Sequence, residues 1–179
     1  SGGGPERLTQ LIQAYRSGIH VTKPVGKLVH DRVSISTLAI CAETRQKAQE
    51  RGAEILDWYR RQGELRDVRV WQEQDPTNVP TDYQWHYQRS TATDSPKRDE
   101  LSSLDQIKQG RYCIGDPDDC LRYLEQYTPT GVDEIMPLFQ IGPMAHQEVT
   151  ETLRLFGKHI IPHLTASEQT SGATTAGDD

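Results

Sequence analysis

Val33-Ser-Ile-Ser-Thr-Leu-Ala-Ile-Cys41, followed by Thr44 and a run to Tyr59, is the stretch that decides the fold. The first part is rich in β-branched residues and has no breaker. Both its odd and its even positions include apolar residues, the pattern of a strand covered on both faces. Thr44 can cap the segment that follows. There Ala48, Ile55 and Tyr59 keep to one side, Arg, Lys, Gln and Glu take the other, and Trp58 extends the apolar stripe. A strand leading into such a helix is half of a βαβ unit, which places the chain in the α/β class.

Working outward, Pro5 favours the first turn of a helix whose Leu8, Leu11, Ile12 and Tyr15 share a face and which Gly18 ends. Pro24 and Gly26 mark a connection to the strand. Beyond it, about residues 62–109 form a long polar excursion with Pro76, Pro80 and Pro96, the aromatic cluster Trp71, Tyr83, Trp85 and Tyr87, and a short helical turn at Leu101, Leu104 and Ile107. Tyr112-Cys-Ile-Gly-Asp116-Pro117-Asp118-Asp119 then carries an N-cap carboxylate, a proline at the first helical position and a second carboxylate at the third, a capping box with Asp in place of Glu. Cys120, Leu121, Leu124 and Tyr127 give that helix its buried face. After Gly131, Val132 to Phe139 reads as a second covered strand, with Pro137 tolerable only near its end. A last helix places Val149, Leu153, Phe156 and Ile160 on one face and stops at Pro162. Residues 165–179, rich in Thr, Ser, Gly and Asp, read as a disordered tail.

The composition bounds what such a chain can do. Its 179 residues suit one domain, but only 34% are hydrophobic, and these concentrate in the few segments above. The formal charge is −6 with the signs interspersed, which argues against a nucleic-acid partner. No apolar run approaches the roughly 20 residues that span a bilayer. Three cysteines, Cys41, Cys113 and Cys120, without CxxC spacing fit small buried hydrophobes in a reducing cytoplasm.

Few residues point to chemistry. His159 and His163 are four apart but interrupted by Pro162 and lack a third ligand, so no metal is expected. His146, beside Glu148 at the start of the last helix, follows the end of a strand, where α/β folds gather ligands, and is the one candidate acid or base; local capping is the alternative. Asp116 would occupy its own helix N-terminus and, with Asp118 and Asp119, repel a phosphate. Ser1 to Gly4 reads either as the end of a phosphate-cradling turn or as a linker. Phe139 and Gln140 could line a pocket for a flat cofactor, or Phe139 could simply be core. The aromatic cluster reads as a lid or as an anchor for the excursion.

Tyr112 to Cys120, Gly131 to Gly142, and Glu151 to Leu164 with Leu155-Phe-Gly-Lys158 resemble the C-terminal end of bacterial luciferase-like flavin-dependent monooxygenases; Pro5 to Arg16 and Val33 to Ala48 are similar to the elements before it. The resemblance implies that residues 1–164 are the C-terminal part of a (β/α)8 TIM barrel, strands seven and eight with flanking helices and a long insertion. It further implies reduced FMN and dioxygen as reactants, an organic substrate and, in many such systems, a separate NAD(P)H-dependent flavin reductase. On this reading Gly2 and Gly3 sit just past the phosphate region and Phe139 and Gln140 follow strand eight. Two strands cannot close such a core. The chain therefore reads as a segment completed by the remaining N-terminal barrel portion or another subunit, as a truncated derivative that assembles without chemistry, or as a small independent binding domain.

Overall fold

The computed structural model describes residues 4–64, 74–91 and 101–165. Helix α1 (Gly4–Ile19) precedes strand β1 (Ser34–Cys41) and helix α2 (Arg45–Glu64). Two short 3-10 turns lead to α3 (Gln84–Thr91) and α4 (Ser103–Lys108), then β2 (Cys113–Gly115), α5 (Pro117–Glu125), β3 (Glu134–Leu138) and α6 (His146–Leu155). Trp71 and residues 166–179 lie outside the described residues.

Local sequence accounts for most boundaries. The Thr44 hydroxyl accepts the Lys47 N–H at 3.3 Å and its carbonyl accepts the Ala48 N–H, which starts α2. At α5 the capping box is complete: Asp116 accepts the Asp119 N–H at 2.9 Å, and the Asp119 carboxylate reaches back to the Asp116 N–H at 3.4 Å. The turn expected around Leu101, Leu104 and Ile107 is α4, capped by Ser102.

All pairings are parallel. β1 is central, with Ala39 to Cys41 opposite Cys113 to Gly115 on one side and Ser34 to Leu38 opposite Glu134 to Leu138 on the other, so that Ile35 faces Ile135. The two strands read from the sequence are thus direct neighbours, but β3 is not covered as expected: it is an edge strand whose Glu134, Met136 and Leu138 are exposed. β2 is an addition: its three residues are too few for any alternation to show, yet all three are buried. It occupies the second edge of β1, and the described residues form an open sheet in the order β2-β1-β3, not a closed barrel. Adjacent barrel strands follow chain order, whereas a sheet with its first strand in the middle is wound in both directions.

Each face of the sheet has its own core. Ala39, Cys41 and Cys113 pack with Cys120, Tyr123 and Leu124 of α5 and with Leu155, Phe156 and Ile160. On the other face Ile40 and Ile114 meet Ile55 and Leu56 of α2, Ile107 of α4, and Ile141 and Met144. The helix stripes are rotated slightly from the expected ones. Leu56 is buried while Tyr59 is half exposed, and Thr152 and Leu155 are buried while Leu153 is half exposed. On α6 the cause is polar, because the Thr152 hydroxyl is turned to the backbone of Cys41. α1 buries Ile12, leaves Leu11 and Tyr15 half exposed, and is tied down by Arg16, which donates to the Gly131 carbonyl at 2.9 Å and to Asp133 at 3.3 Å.

The last helix does not stop at Pro162: helical backbone runs over 146–165 with a π turn at Phe156–Ile160. There the Ile161 N–H donates to the Phe156 carbonyl five residues back. The ordinary ladder is already broken one residue before Pro162, so the missing proline N–H falls where the helix has departed from i→i−4 bonding. Pro137 is tolerated for a related reason. The Val33 carbonyl accepts from Glu134 N–H, so even-numbered residues of β3 turn their backbone to β1 and Pro137 turns toward the open edge.

Candidate functional site

Because the strands are parallel, their carboxyl ends lie together, and the segments that follow them hold the residues nominated from the sequence. β3 pairs with β1 only as far as Leu38, which leaves the N–H and C=O of Cys41 on that side without a strand. Thr152 replaces it. The Thr152 hydroxyl, fully buried, accepts the Cys41 N–H at 3.2 Å and donates to the Cys41 carbonyl at 3.1 Å.

The segment after β3 is packed down as well. The Phe139 ring meets Phe156 edge-on at 4.8 Å, a core contact. Gln140 is exposed, and its side-chain amide donates to the Gly142 carbonyl at 3.3 Å and more weakly to that of Met144 at 3.5 Å. Gly142 has φ +52°, and the Trp58 ring of α2 lies where its Cβ would be. His146 is exposed at the first residue of α6; its Nε2 lies 3.5 Å from the Thr150 hydroxyl, which donates to the His146 carbonyl at 2.9 Å. No hydrogen bond joins His146 to Phe139 or Gln140 among the described residues. Gly2 and Gly3 lie outside them.

Ion pairs brace the same rim. Glu148 receives Arg51 through Nε at 2.6 Å and Nη2 at 3.1 Å and accepts the Ala145 N–H at 2.8 Å, the single arm of a cap whose Ala145 has no acceptor side chain. Arg51, with the burial opposing it and the Ala145 N–H adding to it, holds the Glu148 carboxyl below its usual range. Between β1 and β2, Arg45 binds Asp119 through Nε at 2.7 Å and Nη2 at 2.8 Å. Burial pushes the Asp119 carboxyl up, but Arg45, the Asp116 N–H and Arg122 together outweigh it and leave it lowered. Lys47 holds Glu151 at 3.0 Å. Sequence reasoning noted Glu148 only as a neighbour of His146, and it missed Arg45, Arg51 and Thr152. Their partners lie 74 to 111 residues away, and no local spacing signals such pairs.

The depressed Glu148 carboxyl gives a pH prediction. A folded-state pKa below the unfolded value contributes stability fully above the ordinary glutamate pKa of about 4.3, lost as pH falls from there through the folded value. Glu148→Gln keeps an oxygen for the Ala145 N–H but removes the charge. We expect the variant to be less stable than the parent at pH 7 by about 1 kcal/mol or less, since both partners are about one-third exposed. The difference should narrow as pH falls below the ordinary glutamate value and vanish once the folded-state carboxyl is protonated, read by thermal unfolding followed by circular dichroism; a gap that does not narrow with falling pH would exclude an electrostatic origin.

The cysteines are buried and free. Cys120 Sγ lies 3.8–3.9 Å from the carbonyls of Ile40, Cys113 and Gly115. Contact with Cys120 and burial push the Cys41 thiol up, and contact with Cys113 and burial do the same for Cys120, so both keep their protons and act as packing groups. Among the described residues no three His, Cys, Asp or Glu side chains converge as a metal site, and no helix is long and apolar enough to cross a membrane.

No protein-family model matches the chain, and no curated protein matches it. Among solved structures it is similar to monooxygenase RslO1 from Streptomyces bottropensis, with a TM-score of 0.54 and 18% identity over 91% of this chain. The likeness lies in the fold. The chain spans 40% of the length of RslO1.

Proposed function

We propose that this chain is part of a flavin-dependent monooxygenase that uses reduced FMN and dioxygen to oxygenate an organic substrate, with residues 1–164 as the C-terminal portion of a barrel. The observation that carries this reading is the fold likeness to the RslO1 monooxygenase over nearly the whole chain. The remaining strands then come from the N-terminal barrel portion or another subunit, and a NAD(P)H-dependent reductase supplies the flavin. The outer edge of β3 supports it: no described strand pairs there, Met136 and Leu138 are 45% and 49% exposed, and an apolar groove of about 390 Å³ runs beside Ile135, Pro137, Phe139 and Ile160.

The described residues do not make an FMN cradle by themselves. The Phe139 ring is turned onto Phe156 and the Gln140 amide is engaged by its own loop. On this proposal the flavin contacts come chiefly from the rest of the assembly, with Gly2 and Gly3 beside the phosphate and His146 at the rim. A second reading, a non-catalytic segment for binding or assembly, draws on the rim itself, where Arg45, Lys47 and Arg51 are each held by a carboxylate.

Native mass spectrometry of the purified protein, followed by flavin titration, separates the two. The enzyme reading expects an assembly larger than the single chain that quenches FMN fluorescence and takes up dioxygen when a reductase supplies reduced FMN. A cooperatively folded monomer indifferent to FMN overturns it, and an assembly without flavin-dependent oxygen uptake favours the second reading.

A further inference from the structure

The outer edge of β2 has no described strand beside it, and a cavity of about 610 Å³ runs along it. α2 and α4 wall it on one face of the sheet and α5 on the other, a size within the range of small-molecule sites. Three cations from three elements line it: Arg45 of α2, Lys108 at the end of α4 and Arg122 of α5. Two carboxylates answer them: Asp119, held by both Arg45 and Arg122, and Asp116, whose Oδ2 lies 3.9 Å from Arg45 Nε. Three positive charges against these two carboxylates leave an excess of one, carried by Lys108, in a chain whose net charge is −6. Lys108 has no ion-pair or hydrogen-bond partner among the described residues.

The floor is of another kind. Tyr112, partly exposed over the buried Ile107, offers apolar surface, and the backbone of β2 adds one polar group. The Gly115 carbonyl accepts from Ala42 N–H, so strand alternation turns the carbonyl of Ile114 to the open edge, while the Ile114 N–H is taken by the Tyr112 carbonyl at 2.8 Å. An acceptor therefore faces the cavity beside flat apolar surface, with the cations around it.

We infer that this cavity binds a phosphate monoester carried on a planar nitrogen heterocycle, the chemistry of a nucleoside monophosphate. The dianion binds Lys108 and shares Arg45 and Arg122 with Asp119; the ring lies on Tyr112 with an N–H donated to the Ile114 carbonyl. The site is on the opposite side of β1 from Phe139 and Gln140 and does not depend on the flavin reading.

Calorimetric titration at low salt tests it with three probes: adenosine monophosphate, adenosine and inorganic phosphate. Adenosine monophosphate is expected to bind with Kd below about 1 mM, with adenosine and phosphate each at least about tenfold weaker, since each keeps only half of the contacts. The double variant Lys108→Gln with Arg122→Gln should weaken the nucleotide by about 10- to 100-fold while its circular dichroism and unfolding midpoint stay near the parent's. Absence of binding at 10 mM, or unchanged affinity in a folded double variant, overturns the site. Equal affinity for adenosine overturns the phosphate contact, and equal affinity for inorganic phosphate overturns the ring contact. Oxygen uptake is not read, so this test and that of the monooxygenase reading fail independently.

Discussion

Replacing Gly142 with alanine is expected to lower the unfolding free energy by about 2–5 kcal/mol, a large part of the 5–15 kcal/mol typical of a domain. Two effects combine. The residue has φ +52°, a left-handed conformation that costs a residue with a Cβ about 1–2 kcal/mol. Its Cβ would also lie 2.3 Å from two carbons of the Trp58 ring, so that ring must move, and overpacking of this kind typically costs about 1–3 kcal/mol. Because Trp58 belongs to α2 while Gly142 follows β3, the displacement should loosen Ile141 and Met144 from the core they share with Ile55 and Leu56. Denaturant unfolding followed by circular dichroism measures the loss. Adding Trp58→Leu to Gly142→Ala should recover part of it by removing the clash but not the backbone strain. A single variant within about 0.5 kcal/mol of the parent would mean that the Trp58 contact is not present in solution.

The second large effect is expected at Thr152. Thr152→Val preserves shape but removes the hydroxyl that serves both the N–H and the C=O of Cys41, in a position fully shielded from water. Two buried backbone groups lose their partner at once, and at about 1–3 kcal/mol for each unsatisfied group the loss is about 2–6 kcal/mol. Thr152→Ser keeps the hydroxyl and loses a methyl, about 1 kcal/mol. Serine should therefore be the milder substitution although valine is the closer in volume. Hydrogen exchange at the Cys41 amide provides a local reading, with fast exchange in the valine variant and protection retained in the serine variant. The reverse order of stabilities would remove Thr152 from its place as substitute for a strand.

These two positions mark where legibility in the sequence ends. Gly142 stands in the sequence as one of several glycines near a proline, and nothing in Phe139 to Ala145 announces a tryptophan from a helix more than 80 residues earlier. Thr152 interrupts an apolar stripe that periodicity assigned to Val149, Leu153 and Phe156, because hydrophobic patterning has no term for a threonine buried by its hydroxyl. Pro162 misled in the opposite direction. A proline is a sound stop signal where the i→i−4 ladder is intact, and here a π turn had already broken it. The candidate site shows the same division: His146, Phe139 and Gln140 do follow the strand β3, as their spacing implied, but their contacts are with their own loop and core.

The sequence by itself determined what acts over a few residues: the apolar run of β1, the Thr44 and Asp116 caps, a second strand around Ile135, and hence an α/β chain. The caps are encoded by spacing because their hydrogen bonds close on near neighbours, and the strands by local runs of β-branched and apolar residues. Only the tertiary structure decided that β1 lies between β2 and β3, that Arg45 meets Asp119, that Trp58 covers Gly142 and that a cationic cavity borders β2. These depend on which distant segments pack together, a choice made by the burial of whole faces and by completing the buried backbone's hydrogen bonds.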